Sequence, residues 1–145
     1  MPSPDLPEAQ EPLKVSILSQ GRYLIVSIHT ALDDSQMTRL QTELIERVGR
    51  QRSRGIIVDV STLDVLDSFA TRTLVQLAEV ARLRGAETVI VGIGPEVAIA
   101  MVQLSLQVTF VPTALDLEEG LVRLGELTGE PGEATRLGAR HQTVG

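Results

Sequence analysis

In the stretch LDVLDSFATRTL, residues 63 to 74, one hydroxyl stands directly behind a carboxylate: Ser68 follows Asp67, with Phe69 after it and Arg72 four residues on. A serine in that setting can cap a helix, attack a substrate, or accept a phosphoryl group. Capping satisfies the free N–H groups of a first helical turn and is worth about 1 kcal/mol. Attack needs a base to activate the hydroxyl. The chain has only His29 and His141, one ending a strand-like run and the other near the C-terminus, and no serine in a G-x-S-x-G elbow, so hydrolysis at Ser68 is not expected. Capping and phosphate acceptance are compatible, because a cap hydroxyl is exposed and lies among free amides at the positive end of the helix dipole. A phosphate there adds roughly 1.5 to 2 negative charges. Asp67 and Asp64 oppose that charge while Arg72 partly pairs with it, so the expected result is little refolding and a large change in what can dock. One partner carboxylate about 4 Å from the new charge would cost ~4 kcal/mol at an effective dielectric of 20.

The remaining acids form two groups, Asp33 and Asp34 in one segment, and Asp59, Asp64 and Asp67 around another. Such clusters invite a test for metal-assisted phosphoryl chemistry. A receiver-like domain would take Asp59 as acceptor and needs a lysine after its last strand, yet Lys14 is the only lysine. Helix-capping and solvated carboxylates are the simpler assignment. VGIGPEVA has a strand-glycine-helix look, but Val97 occupies the place of the third glycine of a dinucleotide loop and Pro95 intrudes. No phosphate-binding G-x-x-x-x-G-K-[ST] occurs. The expectation is a non-enzyme without metal or cofactor.

The elements that must position Ser68 can be read from periodicity. KVSIL and YLIVSI, separated by turn residues 19 to 22, predict a hairpin or two neighbouring strands. Asp33 and Gln36 have capping-box spacing, and Met37, Leu40, Leu44, Ile45 and Val48 follow at helical intervals. GIIVDVS, residues 55 to 61, predicts a strand covered on both faces. After the Ser68 loop, Ala70, Leu74, Leu77, Ala78 and Ala81 mark a helix ending near Gly85. TVIVGI predicts another buried strand, Pro95 opens the helix EVAIAMVQLSL, a short strand is expected near TFV at 109 to 111, and Thr113 could cap a last helix carrying Leu117, Leu121 and Leu124. Strands alternating with helices imply an α/β fold with a mixed, mostly parallel sheet of four or five strands and about four helices. Val80 and Leu83 fall off the main stripe of the helix over 68 to 84; they support either assembly with other subunits or burial of a second face within the domain.

At 145 residues and 43% hydrophobic side chains the chain suits one domain with a full core. The folded part is expected over residues 13 to 128, with disordered extensions at 1 to 12, which hold four of the seven prolines, and at 129 to 145. A net charge of −6 and three aromatic residues argue against nucleic acid. The absence of cysteine fits a reducing compartment, so the cytoplasm is expected. Residues 1 to 12 lack the apolar core of a signal peptide. The apolar run from Val97 to Val111 would rise only ~22 Å as a helix, short of a ~30 Å hydrocarbon core. No membrane association is expected.

The segment IIVDVSTLDVLDSFATRTL resembles the phosphorylation segment of STAS domains (sulfate transporter and anti-sigma factor antagonist), and the resemblance runs from about Leu13 to Leu127. Within it YLIVSI with ALDD, the DSF after the central strand, GIGPEVA and TALDLEEGL resemble the RsbS subfamily, the small scaffold of the bacterial stressosome. That resemblance implies that Ser68 is phosphorylated by an RsbT-like switch kinase, that Asp67 is the aspartate preceding the acceptor, and that Asp33 and Asp34 supply fixed negative charge where RsbR-like subunits carry a second phosphorylatable threonine. It also implies RsbR-like STAS partners, self-association, and room for an RsbX-like phosphatase. Ordinary anti-anti-sigma factors typically place Ser-Gly or Ala-Gly after the acceptor, whereas Phe69 and Ala70 stand here; a conventional anti-anti-sigma factor acting by partner switching is the alternative.

Overall fold

A computed structural model describes residues 15–103 and 111–129. Strand β1 (Val15–Gln20) turns through Gly21 and Arg22 into β2 (Tyr23–Ile28), which it pairs antiparallel, so the expected hairpin is present. Helix α1 (Asp34–Gln51), β3 (Gly55–Asp59), α2 (Ser68–Leu83), β4 (Glu87–Val91), α3 (Pro95–Gln103), β5 (Thr113–Ala114) and α4 (Leu117–Thr128) follow. The sheet order is β1-β2-β3-β4-β5, and every pair after the hairpin is parallel. This is the mixed, mostly parallel sheet expected from the alternation.

Because each parallel strand lies beside the one before it, right-handed crossovers place all the connecting helices on the same side. The core agrees: Leu24, Val26, Ile56, Val58 and Ile90 of the sheet meet Leu40 and Leu44 of α1, Leu74 and Leu77 of α2, and Val97 and Met101 of α3. The opposite face, with Ile25, Ile57, Val89 and Val91, is covered by Leu121 and Leu124 of α4. The β-branched runs of β3 and β4 are therefore buried on both faces.

Several expectations need correction. The strand expected at 109 to 111 is instead the two-residue β5 at Thr113–Ala114, pairing with Ile90 and Val91. Val111 lies in a bend before it, and residues 109 and 110 are outside the described residues. Thr113 consequently does not cap the last helix; Asp116 does, accepting from the Glu119 N–H at 2.9 Å. Ile45 and Ala78 are only partly buried. Val80 and Leu83 are exposed, at 36% and 87%, which removes the option that the domain itself buries them. The expected terminal extensions lie outside the described residues, apart from Gly129, the left-handed cap of α4.

Candidate functional site

A helix that follows a parallel strand runs back along it, so the N-termini of α1 and α2 both sit at the carboxyl end of the sheet. There the β2–α1 and β3–α2 loops meet. Thr62 donates its hydroxyl to the carbonyls of Ile28 at 3.1 Å and His29 at 3.3 Å, tying the second loop to the end of β2. Between the loops lies a cavity of about 30 Å³, bordered by Leu32 and Met37 from one side and Leu63, Leu66 and Ala70 from the other. The two acidic segments are thus neighbours in space.

The β3–α2 loop is pinned along its length. Asp59 accepts from the Ser61 N–H at 2.9 Å, an Asx turn, and the Leu63 N–H donates to the Val60 carbonyl at 3.0 Å. A Cβ on Gly92 would stand 2.6 Å from that of Ser61, and Gly92 has φ +81°. Only glycine meets both conditions, so the end of β4 can close against the base of the loop. Leu63 and Leu66 are buried and anchor the rest.

Helix α2 begins at Ser68, one residue earlier than a capping role for Ser68 requires. Asp67 is the cap: its backbone is extended (φ −75°, ψ 177°) and its Oδ1 accepts from the Ala70 N–H at 2.8 Å. Its carbonyl accepts from both the N–H and the hydroxyl of Thr71 at 2.9 Å. A carboxylate wins this position physically, since it is a stronger acceptor than a hydroxyl and its charge suits the positive end of the helix. Reading Ser68 as the cap is therefore wrong by one residue. Ser68 is half-buried at the first helical position, and its hydroxyl makes no hydrogen bond among the described residues. Thr88 Oγ1 is the one fully buried side-chain oxygen or nitrogen without a partner among them, so Ser68 Oγ reaches solvent.

The other expected residues are arranged around it unequally. Asp64 is exposed in the loop, and Phe69 is half-buried with its ring packed against the main core. Arg72 is exposed one turn along α2 and makes no ion pair among the described residues, leaving it available to a new anion. Asp33 and Asp34 are exposed at the mouth of α1. Asp33 forms the expected capping box, accepting from the Gln36 N–H at 2.8 Å while Gln36 Oε1 accepts from the Asp33 N–H at 2.9 Å. The Gln36 N–H first, then the Ser35 hydroxyl, hold the Asp33 carboxyl below the usual aspartate range. Those bonds favour the ionised form of the carboxyl.

His29 bonds Ser16 Oγ at 2.7 Å and so serves the hairpin. Among the described residues no group of three or more Asp, Glu or His side chains is placed to hold a metal ion, and no helix is long and apolar enough to cross a membrane. One residue of the site was missed from sequence: Val65, 63% exposed between two buried leucines. Its only signal was a valine in a loop, which pattern reading takes for core.

The model of the STAS domain family matches residues 14–120. Among solved structures, a serine-to-glutamate variant of RsbS from Moorella thermoacetica is 34% identical with TM-score 0.70, over 80% of this chain and 98% of that one. A chain from a structure describing the molecular architecture of the stressosome is 31% identical with TM-score 0.63, over 77% of this chain and 97% of that one. Among curated proteins, RsbT co-antagonist protein RsbRA of Bacillus subtilis is 29% identical over 97 residues, 67% of this chain. The chain spans about a third of the length of the curated relatives it matches, 35% of RsbRA and 34% of RsbRD.

Proposed function

Because this chain belongs to the STAS domain family, we propose that it is a non-catalytic scaffold of the RsbS type, which captures an RsbT-type switch kinase and releases it when Ser68 is phosphorylated. The observation that carries this reading is the division of labour at the start of α2: Asp67 does the capping, so the Ser68 hydroxyl has no structural bond to lose. In the transfer, Ser68 Oγ attacks the γ-phosphorus of ATP, the bond to the β–γ bridging oxygen breaks, ADP leaves, and the hydroxyl proton passes to a base of the kinase. The phosphate then lies beside the open amides of Ser68 and Phe69, with Arg72 one turn away and Asp64 and Asp67 opposing it. These opposed effects keep the fold intact while the rim, already negative at Asp33 and Asp34, gains further charge. An acidic or sterically matched kinase surface is expelled, since each 1.4 kcal/mol is about tenfold in affinity.

The RsbT co-antagonist relatives and the stressosome likeness support RsbT as the kinase class and RsbR-like subunits as assembly partners. Val80 and Leu83, exposed on α2, are apolar surface available to such assembly. A scaffold of this kind works in the cytoplasm, and an RsbX-like phosphatase would reset it. The test is labelling by the organism's own RsbT-type kinase with ATP: wild type takes up one phosphate and Ser68→Ala none. Labelling that survives the substitution overturns the reading. Mixed with an RsbR-like partner, a scaffold elutes as a large particle, whereas a conventional anti-anti-sigma factor forms only a small complex with its kinase.

A further inference from the structure

Three residues before Ser68 stands a side chain that neither the cap nor the core explains. Val65 is 63% exposed, while Leu63 and Leu66 on either side are 7% and 6% exposed. Those two anchors, the Thr62 bonds to the Ile28 and His29 carbonyls and the Val60–Leu63 turn give the loop one conformation. An apolar group displayed on a rigid loop loses little conformational freedom when a partner covers it. The cavity that Val65 borders, about 30 Å³, holds roughly one water molecule and cannot receive a partner's side chain. Val65 is therefore a knob and not the edge of a socket. Beside it in the loop are the exposed carboxylates of Asp64 and Asp67, and Leu32 and Met37 of the neighbouring loop and helix border the same cavity.

We infer that Val65 is the apolar anchor of kinase docking: it enters an apolar socket on the kinase and sets the register in which the Ser68 hydroxyl, at the start of the next helix, reaches the phosphate donor. The occupant is the kinase because the knob stands on the loop that leads directly into the residue the kinase must reach, three positions before Ser68. This rests on the kinase reading above and adds the residue that carries affinity before any charge is written. Val65 is a positioning residue and takes no part in the transfer itself.

The test is the initial rate of Ser68 phosphorylation by the organism's RsbT-type kinase, measured against scaffold concentration for wild type, Val65→Ala, Val65→Ile and Val65→Asp. Removing two methyl groups of a side chain that is 63% exposed before docking and covered after it corresponds to about a fivefold rise in KM. The expected result is that rise for Val65→Ala with kcat and melting temperature unchanged, near wild-type KM for Val65→Ile, and a larger rise for Val65→Asp. Wild-type labelling together with an unchanged KM for Val65→Ala overturns the anchor and leaves the switch standing. A Val65→Ala protein that keeps its KM but loses self-association on gel filtration also overturns it, assigning the knob to a second copy of the chain. Failure of the kinase to label wild type overturns the switch, and the anchor with it.

Discussion

Exchanging two adjacent residues for alanine, one at a time, separates the structural role at the start of α2 from the signalling one. Asp67→Ala removes the 2.8 Å bond to the Ala70 N–H and a negative charge at the positive end of a sixteen-residue helix. Loss of the cap costs about 1 kcal/mol, and loss of the favourable dipole interaction roughly 0.3 to 1 kcal/mol more. For a domain of this size, about 1 to 2 kcal/mol lowers the melting temperature by roughly 4 to 8 °C. Ser68→Ala breaks no hydrogen bond and puts a good helix former at the first helical position, so its effect stays within about 0.5 kcal/mol, or ~2 °C. Asp67→Asn should fall between, keeping the acceptor oxygen and losing the charge. Thermal melts followed by far-UV circular dichroism measure all three. Equal destabilisation by Ser68→Ala and Asp67→Ala would refute the assignment of the cap, and with it the argument that the Ser68 hydroxyl is free to be modified.

Ser68→Asp should reduce capture of the RsbT-type kinase in a pull-down by at least about tenfold, the effect of ~1.4 kcal/mol of repulsion, with an unaltered circular dichroism spectrum; equal capture by both forms rules out electrostatic release. Gly120→Ala places a Cβ 2.5 Å from Val91 Cγ1, a fully buried atom beneath α4. Overpacking of about 1 to 3 kcal/mol then outweighs the ~1 kcal/mol gain in helix propensity, so the variant should unfold at lower denaturant concentration; a stabilised variant would mean that α4 can lift off the sheet. Asp33 has a depressed carboxyl pKa in the folded protein, so the unfolded state binds its proton more tightly. Its contribution is present at neutral pH and is lost as pH falls from the ordinary value of 3.8 through the lower folded one. Asp33→Asn should flatten stability against pH in that acid window, and an unchanged acid limb would contradict the Gln36 and Ser35 bonds as its cause.

The sequence by itself determined most of the elements and singled out Ser68 as the candidate acceptor. Strands β3 and β4 were legible because unbroken β-branched runs fit only a strand buried on both faces, and α1 because a capping box precedes an apolar stripe at helical spacing. Ser68 was legible through its own motif. Tertiary structure decided what spacing leaves open. Helix onset shifts by one residue with local backbone geometry, which is how Asp67 and not Ser68 became the cap. Whether Val80, Leu83 and Val65 face the core or water depends on what packs over them, and residue type is silent on that. The meeting of the β2–α1 loop with the β3–α2 loop depends on β2 and β3 being neighbours in a parallel sheet, a long-range pairing. Local chemistry names a helix's ends and faces, but which loops share a rim is fixed only when the strands beneath them pair.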